Sequence, residues 1–168
     1  YHHKKIIELI TDNYTNIKKN KELFIMSNTV KDYVLFSKLG TKKNPKEYQD
    51  KGLGYMVKKG NALTALYYNG EPMCCLAYIE FEANKTRGDH YHNKKVENMC
   101  VIKGNLHAKY MLPNNKKEIL EVDLKAGDVV HILPGCAHSY MSDEGAIALE
   151  YSPQKFEITD TIDMDFDW

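Results

Sequence analysis

Neither sign of charge is in excess: 23 basic side chains face 23 acidic ones over 168 residues. A global field that would draw in nucleic acid or an anionic membrane is therefore excluded, although a local pocket for an anion is not. Long apolar runs are also missing. The longest, such as MCCLAY (Met73–Tyr78), fall far short of a bilayer span, so no membrane partner is expected. No secretory leader is visible. The chain opens on Tyr1 rather than Met, as a trimmed protein or the tail of a longer one would. The opening YHH reads as a tag remnant, and His2 and His3 are set aside. The four cysteines have no zinc-knuckle or disulfide spacing. Cys74, Cys75 and Cys100 sit in apolar runs, where buried reduced thiols are expected, and the expected compartment is the cytoplasm. Arginine is almost absent, Arg87 being the only one.

What is present fits one domain with an extension, long enough for a sizeable core, and contains no internal repeat or low-complexity linker. Ile6, Ile7, Ile10, Tyr14 and Ile17 share one face at helical spacing, which predicts an amphipathic helix over about Lys4–Lys19. YVLFSK (Tyr33–Lys38) reads as a short strand, and Asn44-Pro45-Lys46-Glu47 as a helix start. From Gly60 onward the texture is β. ALTALYY, MCCLAYIEFEA, ENMCVIKG, NLHAKYML, EILEVDL, VVHIL and AIALEYS alternate with Gly, Pro, Asn and Asp turns, which predicts an all-β sandwich or barrel. The division expected is residues 1–59 as a helical or extended segment packed on the barrel, and residues 60–168 as the β domain.

The chemistry gathers in GDHYHNKKVE, Gly88–Glu97. Residues i and i+2 of a strand face one way, so His90 and His92 point to one side. A hairpin after His92 would bring Glu97 back beside the rings, and His138, after the PGCA turn, offers a fourth donor. Three imidazoles and a carboxylate suit a borderline divalent ion (Zn, Fe, Mn, Ni or Co) with positions open for substrate. The plain alternative for HxH is a pair of surface or structurally satisfied histidines.

These residues resemble the cupin superfamily. HYHNKKVENMCVIKG is similar to its first signature through His90, His92, Glu97 and Gly104, and GDVVHILPGCAH to its second through Gly127, Gly135 and His138. Three positions depart from the pattern: Asn84 stands where a glycine is usual, Leu133 where a proline is usual, and the closing asparagine is absent. The resemblance implies a cupin double-stranded β-helix (a jelly-roll barrel), with His90, His92, Glu97 and His138 as metal ligands inside it. It also implies a homodimer. NKTRGDHYHNKKVENMCVIKG further resembles cupin domains of capsular and surface-polysaccharide enzymes that act on nucleotide-linked ketosugars, and KTRGDHYH resembles, more weakly, cupin-type sugar-phosphate isomerases.

Those likenesses imply proton transfer next to a sugar carbonyl, with a small carbohydrate as substrate. Candidate proton-transfer groups are Glu97 itself, Tyr140 and His131. Tyr140, two residues after His138, shares its face but has the ordinary alternative of a core aromatic; His131 has that of a buried structural histidine. Arg87 is a candidate for a phosphate or carboxylate of the substrate, against a surface ion pair. His107 is a further substrate-binding candidate, on the condition that its strand continues unbroken through Gly104. An Fe(II)-dependent dioxygenase and a non-catalytic sugar-binding or sensor protein use the same ligands and stay open as alternatives.

Overall fold

The computed structural model describes residues 29–39, 55–59, 62–66 and 71–168, the two middle stretches as backbone only. Both expected helices, over Lys4–Lys19 and from Asn44, lie outside the described residues. Within them there is no α-helix; two one-turn 3-10 helices, Val30–Asp32 and Ile158–Asp160, accompany twelve strands. These are β1 (Val34–Lys38), β2 (Tyr55–Lys59), β3 (Ala62–Leu66), β4 (Cys75–Phe81), β5 (Thr86–His92), β6 (Glu97–Lys103), β7 (Asn105–Leu112), β8 (Asn115–Lys125), β9 (Asp128–Ile132), β10 (Ala137–Met141), β11 (Ala146–Ser152) and β12 (Thr161–Asp163).

Two five-stranded antiparallel sheets carry the fold, in the orders β1-β9-β6-β11-β4 and β12-β5-β10-β7-β8, while β2 and β3 pair with each other. From β4 to β12 the chain changes sheet at every connection except the β7–β8 hairpin, as in a jelly roll. Alternation along each strand explains the core. Ile79, Met99 and Val130 from one sheet meet Leu106, Ala108 and Tyr110 from the other, all nearly inaccessible to water. Cys136 is buried, as a small apolar residue, but Cys74 is exposed and Cys75 and Cys100 are half-buried. The expectation of three buried thiols is thus corrected: Cys74 and Cys75 lie at the start of β4, an edge strand among the described residues, and Cys100 alternates with the core residues Met99 and Val101 on β6.

The departures from the cupin pattern have local causes. Asn84 takes a left-handed φ of 57°, a conformation Asn tolerates better than other non-glycine residues. Leu133 donates its N–H to the Tyr33 carbonyl at 2.9 Å, a bond proline could not make, and so ties the end of β9 to the start of β1. The signature glycine Gly104 (φ 81°) turns the chain from β6 to β7 where a Cβ would lie 2.6 Å from the Gly145 carbonyl oxygen.

Candidate metal centre and its cavity

His90 and His92 project from β5 into the barrel, and β10 brings His138 into register opposite His90. The His90 ring centroid lies 4.8 Å from those of His92 and His138. Glu97 arrives differently from the expected hairpin. β5 and β6 belong to opposite sheets, so residues 93–96 form a corner of the barrel, and Glu97 faces the imidazoles from the other wall. Its Oε2 is 3.4 Å from His92 Nε2 and its Oε1 is 3.3 Å from His138 Nε2. Donor atoms of His90, His92 and Glu97 fall within 4.8 Å of one another.

Each imidazole is oriented through its other nitrogen. Nδ1 of His90 contacts the Gly88 carbonyl at 2.7 Å, that of His92 the Asp160 carbonyl at 3.1 Å, and that of His138 the Cys136 carbonyl at 3.4 Å. A carbonyl only accepts, so Nδ1 must carry the proton and Nε2 keeps its lone pair. His92 Nε2 is buried with no hydrogen-bond partner of its own.

The electrostatics follow from burial and mutual charge. Burial, followed by the charge of His138, lowers His90 to about 4, so it is neutral at pH 7. Burial opposes charge on Glu97 as well, but the charge of His138, the close imidazoles of His138 and His92, and Lys95 outweigh it and hold the carboxyl well below its usual range. Burial also opposes an imidazolium at His138, yet Glu97 raises its pKa. The sequence reading missed Lys95. Buried at 5% exposure, its ammonium donates to Glu97 Oε2 at 3.1 Å and to Glu150 Oε1. Glu150 was missed as well; it reaches the same interior from β11, and burial and the charge of Glu97 raise its pKa. A lysine between two acidic side chains looks in sequence like any solvated charge, so no one-dimensional signal pointed to either residue.

A cavity of about 280 Å³ opens on this group, walled by Ile79, Phe81 and Met99 and reached by Arg87, His90, Glu97, His138, Tyr140 and Glu150. Tyr140 thus shares the inward face of His138 as expected. Its hydroxyl is buried without a hydrogen-bond partner among the described residues, and burial raises its pKa well above the ordinary phenol value. Arg87 needs a special device. Three residues before His90, it would face outward in a regular strand, but a bulge shifts the register so that Tyr140 opposes Arg87 while His138 opposes His90. Gly88 (φ 106°) and Asp89 (φ 54°) form the bulge. A Cβ on Gly88 would stand 2.8 Å from the His138 carbonyl oxygen. Gly88→Ala should therefore lose at least about 1–3 kcal/mol of stability from the backbone conformation alone, read by chemical denaturation. Arg87 is exposed at the mouth, with no ion-pair partner among the described residues, and borders a second cavity of about 260 Å³.

Two expected site residues lie elsewhere. His131 sits on the outer face of its sheet, opposite Asn98, with Nδ1 2.6 Å from the Asn98 side-chain oxygen; Val130 and Ile132, not His131, face inward. It does not reach the cavity. Gly104 ends β6, so the condition for His107 fails: it is exposed on β7, between Asp123 (2.7 Å) and Asp143 (3.1 Å).

Comparison with known proteins agrees with the fold. Solved structures with the same fold include the 3,4-ketoisomerase QdtA from Thermoanaerobacterium thermosaccharolyticum, as a variant in complex with TDP-4-keto-6-deoxyglucose (16% identity, 77% of this chain and 86% of that one, TM-score 0.56). WlaRA, a TDP-fucose-3,4-ketoisomerase from Campylobacter jejuni, matches at 13% identity over 77% and 87% of the two chains with a TM-score of 0.59. The dTDP-6-deoxy-D-glucose-3,5-epimerase RmlC from Legionella pneumophila Philadelphia 1 matches at 10% identity over 66% and 69%, TM-score 0.55. No curated protein matches in sequence. No helix among the described residues is long and apolar enough to cross a membrane. Residues 70–160, more than half of the chain and all of the cavity-lining residues, match the polysaccharide biosynthesis C-terminal domain, and the chain belongs to that family of cupin-like proteins.

Proposed function

We propose that the protein is a metal-dependent isomerase or epimerase that moves a proton next to the carbonyl of a nucleotide-linked or phosphorylated sugar, in surface-polysaccharide metabolism. The observation that carries this reading is one cavity lined by His90, His138, Glu97 and Glu150, with the His92 ring 4.8 Å from that of His90 and a Tyr140 hydroxyl that has no partner among the described residues. The donors fit a divalent ion: each Nδ1 is held by a carbonyl, each Nε2 is left with its lone pair, and Glu97 is ionised. His90, His92, Glu97 and His138 would hold the ion, of the class Zn, Fe, Mn, Ni or Co. Bound there, such an ion supplies stabilisation of the negative charge that develops on a sugar carbonyl oxygen.

The remaining steps belong to the side chains. Tyr140 keeps its proton at neutral pH and donates a hydrogen bond with it to a sugar oxygen. Glu97, held strongly ionised, is a poor proton acceptor; Glu150, with its raised pKa, is the better one. Arg87 takes the phosphate at the mouth, where its planar fork can bind two oxygens at once. QdtA and WlaRA, which are ketoisomerases of TDP-linked sugars, support the choice of substrate class. The homodimer and the cytoplasmic compartment belong to the same proposal, and light scattering of the purified chain reads the first of them.

Incubation in deuterated water with a panel of TDP-linked and phosphorylated ketosugars should introduce deuterium at the carbon next to the carbonyl. No exchange across the panel would overturn the reading, and oxygen uptake only with Fe(II) would replace it with an oxygenase.

A further inference from the structure

The corner at residues 93–96 has no ladder to satisfy its backbone, because it passes between sheets. The segment after β11 supplies every acceptor instead. Asp160 Oδ1 takes the N–H groups of Asn93 and Lys94, both at 3.1 Å, and Oδ2 takes that of Lys95 at 3.0 Å. Gln154 Oε1 takes that of Val96 at 2.9 Å. Such a run of N–H groups on one buried carboxylate is a nest with its anion built in. The Asp160 backbone carbonyl also receives His92 Nδ1 at 3.1 Å. One residue later β12 begins, pairing Thr161 with His92 and Asp163 with His90.

Asn93 and Lys94 are exposed on this corner, whereas Lys95 turns inward to Glu97 and Glu150. One residue therefore acts on two parts of the site, the ring orientation of His92 and the placement of Lys95. We propose that Asp160 is a positioning residue of the centre: its carboxylate folds the corner that delivers Lys95 to Glu97 and Glu150, and its carbonyl fixes His92 with Nε2 toward the other ligands. This rests on the metal reading above, and the test separates the two.

Nitrogen-15 imidazole spectra of the wild-type protein should show His92 protonated at Nδ1, with that proton slow to exchange. His92 protonated at Nε2 would overturn the proposal. Asp160→Asn keeps the size of the side chain but turns an NH₂ group toward the corner's donors. Its affinity for Co²⁺, measured by chelator competition on protein shown to be folded by circular dichroism, should fall about 10–100-fold. Glu157→Gln, on the same 3-10 turn but exposed, should leave the affinity unchanged. Affinity within twofold of wild type in folded Asp160→Asn would overturn the role. If that variant does not fold, amide exchange of the wild type decides. Protection of Asn93, Lys94 and Lys95 at the level of the barrel strands supports the proposal, and exchange at the rate of exposed loops overturns it. Wild-type protein that binds no Co²⁺ removes the metal reading, yet the tautomer and exchange results still decide whether Asp160 orders the corner.

Discussion

Under the proposed function, replacing His90 by alanine is expected to abolish binding of a divalent ion and to slow solvent exchange at the sugar carbon by on the order of 10³-fold. His90 lines the cavity and lies 4.8 Å from each of the other two rings, so its loss opens the donor set on the substrate side. Its pKa of about 4 means that an ion displaces no proton from it at neutral pH. His138 behaves in the opposite way. Glu97 raises its pKa against the effect of burial, so protons compete with an ion for this pair more strongly than they do at His90. Metal affinity of the wild type should accordingly weaken as pH falls below neutrality, because protons compete for that pair. Elemental analysis after dialysis at several pH values, together with deuterium wash-in, measures both effects. A His90→Ala protein that retains one ion per chain and its exchange rate would remove the centre from the mechanism.

Lys95→Met should produce the largest loss of stability, about 3–5 kcal/mol by denaturant unfolding of the metal-free protein. The lysine is 5% exposed and stands between two carboxylates; the substitution takes the cation from Glu150 and leaves Glu97 with only the imidazoles beside it. The pH dependence identifies the cause. Burial works against the Lys95 charge, but Glu97 and Glu150 raise its pKa above the ordinary value. Its contribution is thus complete below about 10.4 and disappears as pH rises through the folded value. In the variant Glu150, raised by burial and by the charge of Glu97 and no longer held by the lysine, takes up a proton more readily than in the unfolded chain. Part of the lost stability should therefore return as pH is lowered through about 5. A bound divalent ion replaces the missing charge, so the loss should be smaller in loaded protein. A deficit independent of both pH and metal would mean that Lys95 contributes by packing alone.

The pair of imidazoles on β5 was legible because HxH on a strand puts two rings on one side by alternation alone, whereas Glu97 and His138 were joined to it through the resemblance of the two motifs to cupin signatures. The β texture from Gly60 onward was legible for the same reason: AIALEYS, for example, is β11 to the residue. Arg87 was reached through its neighbourhood rather than its phase, since a bulge that inverts the parity of a strand depends on Gly88 fitting under His138. His131 failed because periodicity gives a face but not its direction. The stretch VVHIL alternates equally well whichever side meets the core, and only the pairing of β9 with β1 and β6 decides. β12 was missed because three residues of strand carry no period; partnership with His90 and His92 makes them a strand.

By itself the sequence determined a β domain from about Gly60 onward, with four metal-type donors and two of them on one side of a strand. Only the tertiary structure decided that Glu97 comes from the opposite sheet, that Lys95 and Glu150 share its interior, and that Asp160 holds the corner between them. The division has one physical cause. Strand alternation and turn chemistry act over a few residues, whereas a buried charge is defined by partners that close on it across dozens, as Glu150 and Asp160 do on Lys95.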